Sequence, residues 1–371
     1  MDKIHVLHVN FDVEKRYPYF IGGVPSVILN IMNYAAPDKI SHFLLTADFR
    51  EAEHREDGNK IFLPFQFIKR SKYYYDPLFF RRLFKKYAID IVHFHHSAPV
   101  KLCAVSKLAK PGIKLVESIY TQPARKRSII HGLINRTFAI DGYMKGYLLS
   151  RGIREGTLGV LPIVPDYKAY FGKPGGRRAP GDKYRFLFSP GPRKEMGLYY
   201  LLDQADLING DDKIGNMFHF DLSVTDVPEL KKKREDVAQI IKVKGLENVS
   251  LVGFFPDLPK YLESVDGLVY PILEHVKKMS TPLMMIESMM LGKLVISTRT
   301  AGSGCLLNDK NSIGIRPGAE DLYDACLKIF RGDYDAERMR EEGRRAVLDA
   351  FSVEKISSLY YEAYRALLKG R

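Results

Sequence analysis

The sequence predicts an α/β protein built from two doubly wound parallel sheets. Apolar, strand-like runs alternate with helical patterns of roughly 10 to 15 residues through both halves of the chain. Strands interleaved with helices of this length form parallel sheets that are covered on both faces. With 371 residues, the chain is long enough for two such sheets, each with its own core.

The strand pattern recurs in each half of the chain. The first half carries it in KIHVLHVNF, SHFLLTADF, IDIVHFHH, IKLVESIY and LGVLPIV, and the second half in YRFLFSPG, MFHFDLSV, VSLVGFF, VDGLVYPIL and KLVISTRT. Between them, YKAYFGKPGGRRAPGDKY has the glycine, proline and charge content of an exposed linker. We therefore predict an N-terminal domain over residues 1–166, a linker over 167–184, a C-terminal domain over 185–352 and a final helix over 353–371. That helix has no strand after it and can cross back to the N-terminal domain.

Composition limits the class of protein. A hydrophobic content of 46% excludes disorder, and no apolar run approaches the length of a membrane span. The first residues alternate like a strand and lack the apolar core of a signal peptide, so we expect a cytoplasmic protein. The three cysteines are far apart without CxxC spacing, which predicts ordinary core residues rather than disulfides or a zinc site. The net charge of +13 indicates an anionic partner: a nucleotide substrate, a nucleic acid or an acidic membrane surface.

The segment KKMSTPLMMIESMMLGKLVIST, residues 277–298, predicts a buried helix followed by a strand. Ser280 or Thr281 can cap the helix, Pro282 suits its first turn, and Gly292 stands where a helix ends. Apolar residues cover nearly every direction around the helix axis between these positions, as expected for a helix without a solvent face.

Glu287 is the single acid in that helix. A buried carboxylate without partners is costly, so the sequence leaves two alternatives. Glu287 either lies at the rim of the helix and pairs with a lysine such as Lys277 or Lys293, or it binds a ligand that carries hydroxyl groups.

Two glycine-rich loops follow predicted strands, where doubly wound sheets bind ligands. Gly22 and Gly23 precede a helix in YFIGGVPSVILNI, and they let the backbone approach a ligand closely. Gly191, Arg193 and Lys194 precede another helix in FLFSPGPRKEMGLYYLL, where backbone N–H groups and a guanidinium suit a diphosphate. Each loop alone can also be an ordinary turn.

The order of these segments resembles the retaining glycosyltransferases of family 4, which have the GT-B fold of two facing Rossmann-like domains with a cleft between them. The similarity extends over nearly the whole chain. It rests on GGVPSVILNI, IDIVHFHH, VLPIVPD, FLFSPGPRKEMGLYYLL, VSLVGFFPDLPKYLESVDGLVYPI and TPLMMIESMMLGKLVIST. The last two segments are the most specific.

The resemblance implies roles for particular residues. Glu287 would accept hydrogen bonds from the ribose of a nucleotide-sugar. The implied catalytic residues are Arg193 and Lys194, which would stabilise the leaving diphosphate, and Tyr120, which would lie near the reacting sugar. Gly22 and Gly23 would lie near the phosphates or the acceptor. The other implied donor-binding residues are Ser280, Thr281, Pro282, Leu283, Gly191 and Gly253.

Three positions depart from the family pattern. Met279 stands where the family usually has a first glutamate, and the nearby Glu274 is out of register. Met196 precedes Gly197 where a lysine is usual, and Tyr120 replaces a histidine that many members carry. These departures bear on catalysis and donor identity.

The resulting hypothesis is a retaining glycosyltransferase that needs no metal or other cofactor. It would move a sugar from a nucleoside-diphosphate sugar to a glycan or lipid-linked acceptor, with leaving-group charge stabilised by cations and helix N-termini. Two alternatives stay open: a catalytically silent glycosyltransferase-like binding subunit and a nucleotide-sugar 2-epimerase. Nucleic acid is not an expected partner, because no RNA- or DNA-binding module is recognisable.

The stretch SKYYYDPLFFRRLFKKYAID, residues 71–90, combines aromatic and basic side chains on one predicted helix. We expect the aromatic residues to face the N-terminal sheet, while the basic face is a candidate for contact with an anionic membrane on its inner, cytoplasmic side. The aromatic residues are Phe80, Phe84 and Tyr87, and the basic ones are Arg81, Arg82, Lys85 and Lys86.

His93, His95 and His96 suggest a metal site, but two histidines on one strand face without nearby cysteines or acids make a weak one. We expect structural or substrate-binding histidines and no metal.

Overall fold

The computed structural model describes residues 3–10, 23–48, 55–64, 76–95, 99–121, 132–171, 182–189, 191, 194–224, 228–273, 281–299, 302–316 and 321–369. The chain divides into two compact units. The first comprises Met1–Pro165 and Phe351–Arg371, and the second comprises Asp166–Ala350.

The first unit contains a sheet of eight strands in the order β3-β4-β2-β1-β5-β6-β7-β8. All neighbours in it pair in parallel except β3 and β4. Its strands are β1 (Ile4–Val9), β2 (Ile40–Asp48), β3 (Arg55–Asp57), β4 (Lys60–Pro64), β5 (Ile91–His95), β6 (Lys114–Ile119), β7 (Arg136–Ala139) and β8 (Leu158–Val160). Its helices are α1 (Gly23–Tyr34), α2 (Pro77–Lys86), α3 (Val100–Ala109), α4 (Gly142–Ser150) and, at the end of the chain, α12 (Val353–Lys369).

The two faces of this sheet differ in chemistry. One face packs an apolar core against α2 and α3, and Phe80 and Phe84 are buried in it with Tyr87 at its margin. The prediction for these aromatic residues is confirmed, and the basic residues of α2 are exposed. The other face carries buried histidines on the central strands, described below.

The C-terminal helix α12 packs on the first unit through polar contacts. The Ser357 hydroxyl donates to the carbonyl of Tyr34 at 2.9 Å and accepts from the backbone N–H of Ala36 at 3.1 Å. The Tyr360 hydroxyl donates to the carbonyl of Pro162 at 3.1 Å. Helix α12 is therefore tied both to the end of α1 and to the segment that leaves β8.

The second unit contains a six-stranded sheet in the order β11-β10-β9-β12-β13-β14, and every pairing in it is parallel. Its strands are β9 (Tyr184–Phe188), β10 (Phe218–Ser223), β11 (Val249–Val252), β12 (Gly267–Tyr270), β13 (Leu294–Thr298) and β14 (Ile313–Ile315). Its helices are α5 (Tyr167–Tyr170), α6 (Leu198–Asn209), α7 (Lys231–Lys244), α8 (Leu258–Glu263), α9 (Leu283–Met290), α10 (Asp321–Arg331) and α11 (Ala336–Ala350).

The strand order of the second sheet places a switch point between β9 and β12. The chain builds outward from β9 through β10 to β11, then returns to the other side of β9 to form β12, β13 and β14. The loops that follow β9 and β12 therefore leave the same edge in opposite directions, which opens the crevice where doubly wound sheets bind ligands.

The predicted α/β class with two parallel sheets is confirmed, and each predicted strand run contains a strand. Strands β3, β4, β7 and β14 were not predicted. The stretch assigned to an exposed linker begins with α5, in which Tyr167 and Tyr170 are buried, and residues 172–181 lie outside the described part.

Cys103 and Cys326 are core residues as predicted, but Cys305 is exposed, so that prediction was wrong. Among the described residues, no helix has both the length and the apolar character needed to cross a membrane.

Candidate functional site

The loop after β9 lies against the loop after β12. Gly197 has a φ of 85°, and a Cβ at this position would overlap the carbonyl oxygen of Pro271. The backbone N–H of Leu273 also donates to the carbonyl of Glu195 at 3.1 Å. Gly191 in the same loop has a φ of 102°, a region that glycine adopts at little cost. These contacts hold the two loops together at the switch point, at the N-terminus of α6.

Side chains connect this edge further. The Thr298 hydroxyl accepts from the backbone N–H of Ile272 at 3.1 Å. The Thr281 hydroxyl donates to the carbonyl of Gly302 at 3.1 Å, so Thr281 does not cap α9. Pro282 is the N-cap residue without a side-chain hydrogen bond, which corrects the predicted cap; Ser280, the other candidate, lies outside the described residues. Helix α9 begins at Leu283.

Glu287 is buried in α9, with 6% of its surface exposed. Its carboxylate accepts hydrogen bonds from the backbone N–H of Asp166 and from the Tyr170 hydroxyl. The pKa of Glu287 is raised to about 8: burial is the main cause, the neighbouring Asp166 carboxylate adds to the rise, and the two hydrogen bonds oppose it.

The predicted lysine pairing of Glu287 is wrong for Lys293. The Lys293 ammonium donates to the carbonyl of Glu263 at 2.8 Å. Lys277, the other lysine considered, lies outside the described residues.

Asp166 and Tyr170 are the site residues that sequence reasoning missed. The Asp166 side chain caps α5 by accepting from the N–H of Ala169 at 3.2 Å, and this short helix points Tyr170 into the unit, where it is buried. An aspartate followed by a tyrosine four residues later is a recognisable cap and buried position, but nothing in the sequence connects it with Glu287.

The structure describes only some of the predicted cations and glycines. Lys194 is exposed in a 3-10 turn directly before Gly197, and Met196 beside it is buried. Arg193 and Gly22 lie outside the described residues, as do Met279 and Glu274. Gly253 follows β11 at the same sheet edge, three strand positions from β12.

In the first unit, three candidate positions lie at the carboxyl edge of the sheet. Gly23 begins α1 after the loop that follows β1, His95 ends β5, and Tyr120 follows β6 directly. Strand β5 pairs with both β1 and β6, so these positions come from adjacent strands.

His95 and Tyr120 belong to a chain of hydrogen bonds across four strands. Its contacts are Tyr120 to His95 at 2.7 Å, His95 to His8 at 2.8 Å, His8 to His42 at 2.8 Å and His42 to the Ala35 carbonyl at 2.8 Å. A second branch runs from Tyr364 of α12 to His93 at 2.7 Å, and from His93 to Ser118 at 2.8 Å. Ser118 in turn hydrogen-bonds Tyr120, so the two branches meet there.

The last acceptor of this chain, the Ala35 carbonyl, determines which atom donates in each of its hydrogen bonds. The Ala35 carbonyl can only accept, so His42 donates through Nε2. Burial lowers the pKa of His42 to about 4 and that of His8 well below its usual value, so both rings are neutral and their Nδ1 atoms accept. His8 therefore donates to His42, and His95 donates to His8.

Burial raises the pKa of the Tyr120 phenol, so it stays protonated, and in this chain its O–H donates to Nδ1 of His95.

Three histidines of this chain lie close together: nitrogen atoms of His8, His93 and His95 are within 4.8 Å of one another, as in a group that could hold a metal ion. The His93 and His95 rings stack with centroids 4.3 Å apart and planes at 24°. Every ring nitrogen of the three is also engaged in a hydrogen bond.

Comparisons with known proteins agree with this architecture. Residues 21–163 match the family model described as Glycosyltransferase Family 4, and residues 186–331 match the model described as Glycosyl transferases group 1. An O-antigen chain mannosyltransferase C from Escherichia coli is 24% identical over 200 residues, which are 53% of this chain. The chain spans about half the length of that curated relative, since the match covers 50% of it.

Two solved structures share the whole fold. Sucrose-phosphate synthase from Thermosynechococcus elongatus has a TM-score of 0.77 at 14% identity, with 100% of both chains covered. The HepE protein of Anabaena, solved in complex with UDP-glucose, has a TM-score of 0.69 at 14% identity, with 98% of this chain and 100% of that chain covered.

The histidine chain should make the protein labile to acid. The pKa values of His42 and His93 are lowered to about 4 and about 3, mainly by burial, whereas an unfolded histidine titrates near 6.5. Between pH 6.5 and about 4, the unfolded state therefore binds protons that the folded state does not, and stability falls as pH falls. We expect His42→Gln to reduce the slope of unfolding free energy against pH by about 1.4 kcal/mol per pH unit in urea titrations.

Met32→Ala is the matched control, because Met32 is buried on the same face of the sheet and does not titrate. It should lower stability equally at each pH. An unchanged slope in His42→Gln would contradict the assignment of a neutral, buried ring.

Proposed function

Because the chain belongs to the group 1 glycosyltransferases of family 4, we propose that it is a retaining, metal-independent enzyme that uses a nucleoside-diphosphate sugar. The acceptor is a glycan or a lipid-linked molecule. The single observation that supports this most is Glu287, a nearly dry carboxylate on the helix that follows the switch-point strand β12. Such a carboxylate can accept hydrogen bonds, and the hydroxyl groups of a ribose can donate them.

The leaving diphosphate is assigned to the loop after β9. Its backbone is fixed by the contact between Gly197 and Pro271, and it leads into the N-terminus of α6, whose N–H groups and dipole favour an anion. Lys194 is exposed beside it, and Arg193 is its sequence neighbour. These groups stabilise the charge that develops as the glycosidic bond to phosphate breaks, without a metal.

The first unit is assigned to the acceptor. Gly23, His95 and Tyr120 lie at the carboxyl edge of its sheet. Because the Tyr120 proton is committed to His95, Tyr120 serves as a wall of the acceptor site and not as an acid or base. The acceptor's proton then passes to the leaving phosphate, as the retaining mechanism requires no separate base.

We expect a thermal-shift screen of UDP-, GDP- and ADP-sugars to identify the donor. A nucleotide-sugar at 100 times its dissociation constant adds about 2.7 kcal/mol of stability. Glu287→Ala should fold and lose this shift, and calorimetry should show weaker nucleotide binding. Equal affinity in wild type and Glu287→Ala would remove Glu287 from the donor site.

Arg193→Ala should lower turnover more than it lowers donor affinity, because leaving-group charge grows toward the transition state. Loss of one such stabilising group typically costs roughly 10²- to 10³-fold in rate, and Lys194→Ala should cost less if Arg193 makes the bidentate contact. EDTA should have no effect, and NMR of the product should show retained anomeric configuration. Inversion, or activity lost on chelation and restored by magnesium, would contradict the mechanism.

The reaction product also distinguishes the proposed glycosyltransferase from the two alternative functions. An epimerised free nucleotide-sugar would identify a 2-epimerase. Nucleotide-sugar binding without turnover, with any donor and a membrane extract, would favour the silent binding subunit.

The exposed basic face of α2 is assigned to an anionic membrane. Arg81, Arg82, Lys85 and Lys86 are exposed there, and Leu78, 61% exposed, offers an apolar side chain on the same helix. Each basic residue near an anionic surface contributes about 1 kcal/mol, which salt screens.

Flotation with anionic liposomes should therefore recover the protein at low salt and not at high salt. Arg82→Glu with Lys85→Glu should abolish this recovery. The matched control reverses two exposed lysines of α7, Lys231 and Lys242, which changes the net charge equally. Equal loss in both double variants would mean that attachment follows net charge alone and not the face of α2.

A further inference from the structure

We propose that nucleotide binding expels a proton from Glu287, and that Tyr170 is the positioning residue that orients this carboxyl group toward the ribose. This inference rests on the proposed function, because it requires a nucleotide at Glu287. It goes beyond ribose recognition by assigning a proton to the binding step and a role to a residue of α5.

Two donors among the described residues bond Glu287: the backbone N–H of Asp166 and the Tyr170 hydroxyl. A carboxylate has about four acceptor positions, and the proposal assigns two of them to the two hydroxyls of a ribose. In the protonated acid, one of those positions carries the proton, so the acid can accept one ribose hydroxyl fewer than the carboxylate.

The surroundings favour the protonated acid before nucleotide binds. Glu287 is almost fully buried, which disfavours its charge, and the Asp166 carboxylate is close enough to add repulsion. When the two ribose hydroxyls donate hydrogen bonds to Glu287, they stabilise its ionised form. On binding, the O–H bond of the acid breaks, its proton goes to the buffer, and both ribose hydroxyls donate to Glu287.

Tyr170 remains a donor throughout. Burial raises its pKa, and the charge of Glu287 and of Asp166 and Asp257 adds to the effect, so it does not ionise at working pH. Tyr270 of β12 also faces Glu287, and its pKa is likewise raised by burial first and by Glu287 second. The Tyr170 hydroxyl is therefore a fixed donor that both orients the carboxyl group and favours its ionised form.

Calorimetry with UDP and with GDP, each in two buffers of different ionisation enthalpy, measures the protons released. At pH 7 we expect wild type to release close to one proton more than Glu287→Gln. Subtracting the variant removes any contribution from the phosphates. The affinity of wild type relative to Glu287→Gln should rise up to roughly tenfold per pH unit toward pH 8 and level off above it.

Tyr170→Phe separates positioning from packing, because it keeps the buried ring and removes only the hydroxyl. Without this donor the carboxyl group holds its proton more tightly, so the rise in affinity should shift to higher pH. The deficit against wild type should be largest near neutral pH and shrink toward pH 9.5. Tyr200→Phe is the control: it removes a hydroxyl bonded to the N–H of Leu322 at 3.1 Å, elsewhere in the unit, and should leave the pH profile unchanged.

The outcomes are distinguishable. Equal proton release in wild type and Glu287→Gln overturns the proton step while leaving nucleotide binding intact. An affinity deficit in Tyr170→Phe that is the same at every pH overturns the role of Tyr170. If neither nucleotide binds and the thermal-shift screen finds no ADP-sugar either, both the inference and the proposed donor site are overturned.

Discussion

The second unit depends on one constraint, the cost of placing the Glu287 carboxylate in a nearly dry helix. Apolar residues surround it on α9, so its hydrogen-bond donors must come from other elements. They come from the start of α5, where Asp166 supplies a backbone N–H and Tyr170 a hydroxyl. Helix α9 and the segment that opens the second unit are therefore joined through one acid.

The first unit also buries polar side chains, but it satisfies them with hydrogen bonds inside the protein. Its histidines are buried on one face of the sheet, and each hydrogen bond of the chain from Tyr120 to the Ala35 carbonyl is made within the protein. Neutral rings make this possible, because each can donate through one nitrogen and accept through the other. This histidine chain ends at a backbone acceptor of the protein. The proposed function instead assigns the nucleotide to the second unit, where Glu287 is bonded by two donors among the described residues.

Sequence patterns predicted those features of the fold that depend on residues close together in the sequence. Apolar runs located the long strands, and the apolar helix around Glu287 predicted its burial. The short strands β7 and β14 were missed, whereas the equally short β8 and β12 were found because they lie within longer apolar runs of the sequence. Partners distant in sequence were also out of reach: Tyr170 meets Glu287, and His42 meets His8, only because of sheet order and register, which periodicity does not encode.

The protonation state of Glu287 connects the fold to the proposed chemistry, and carbon-13 NMR of its carboxyl group measures that state directly. In protein labelled at the glutamate carboxyl carbon, the Glu287 signal is the one missing from Glu287→Gln. It should titrate with a pKa of about 8 in the free protein, since burial disfavours the charge. Saturation with the nucleotide should move the titration to lower pH. A titration near 4.5 in the free protein, or one that the nucleotide leaves unchanged, would contradict the assignment of Glu287 as a buried acid that the ribose converts to a carboxylate.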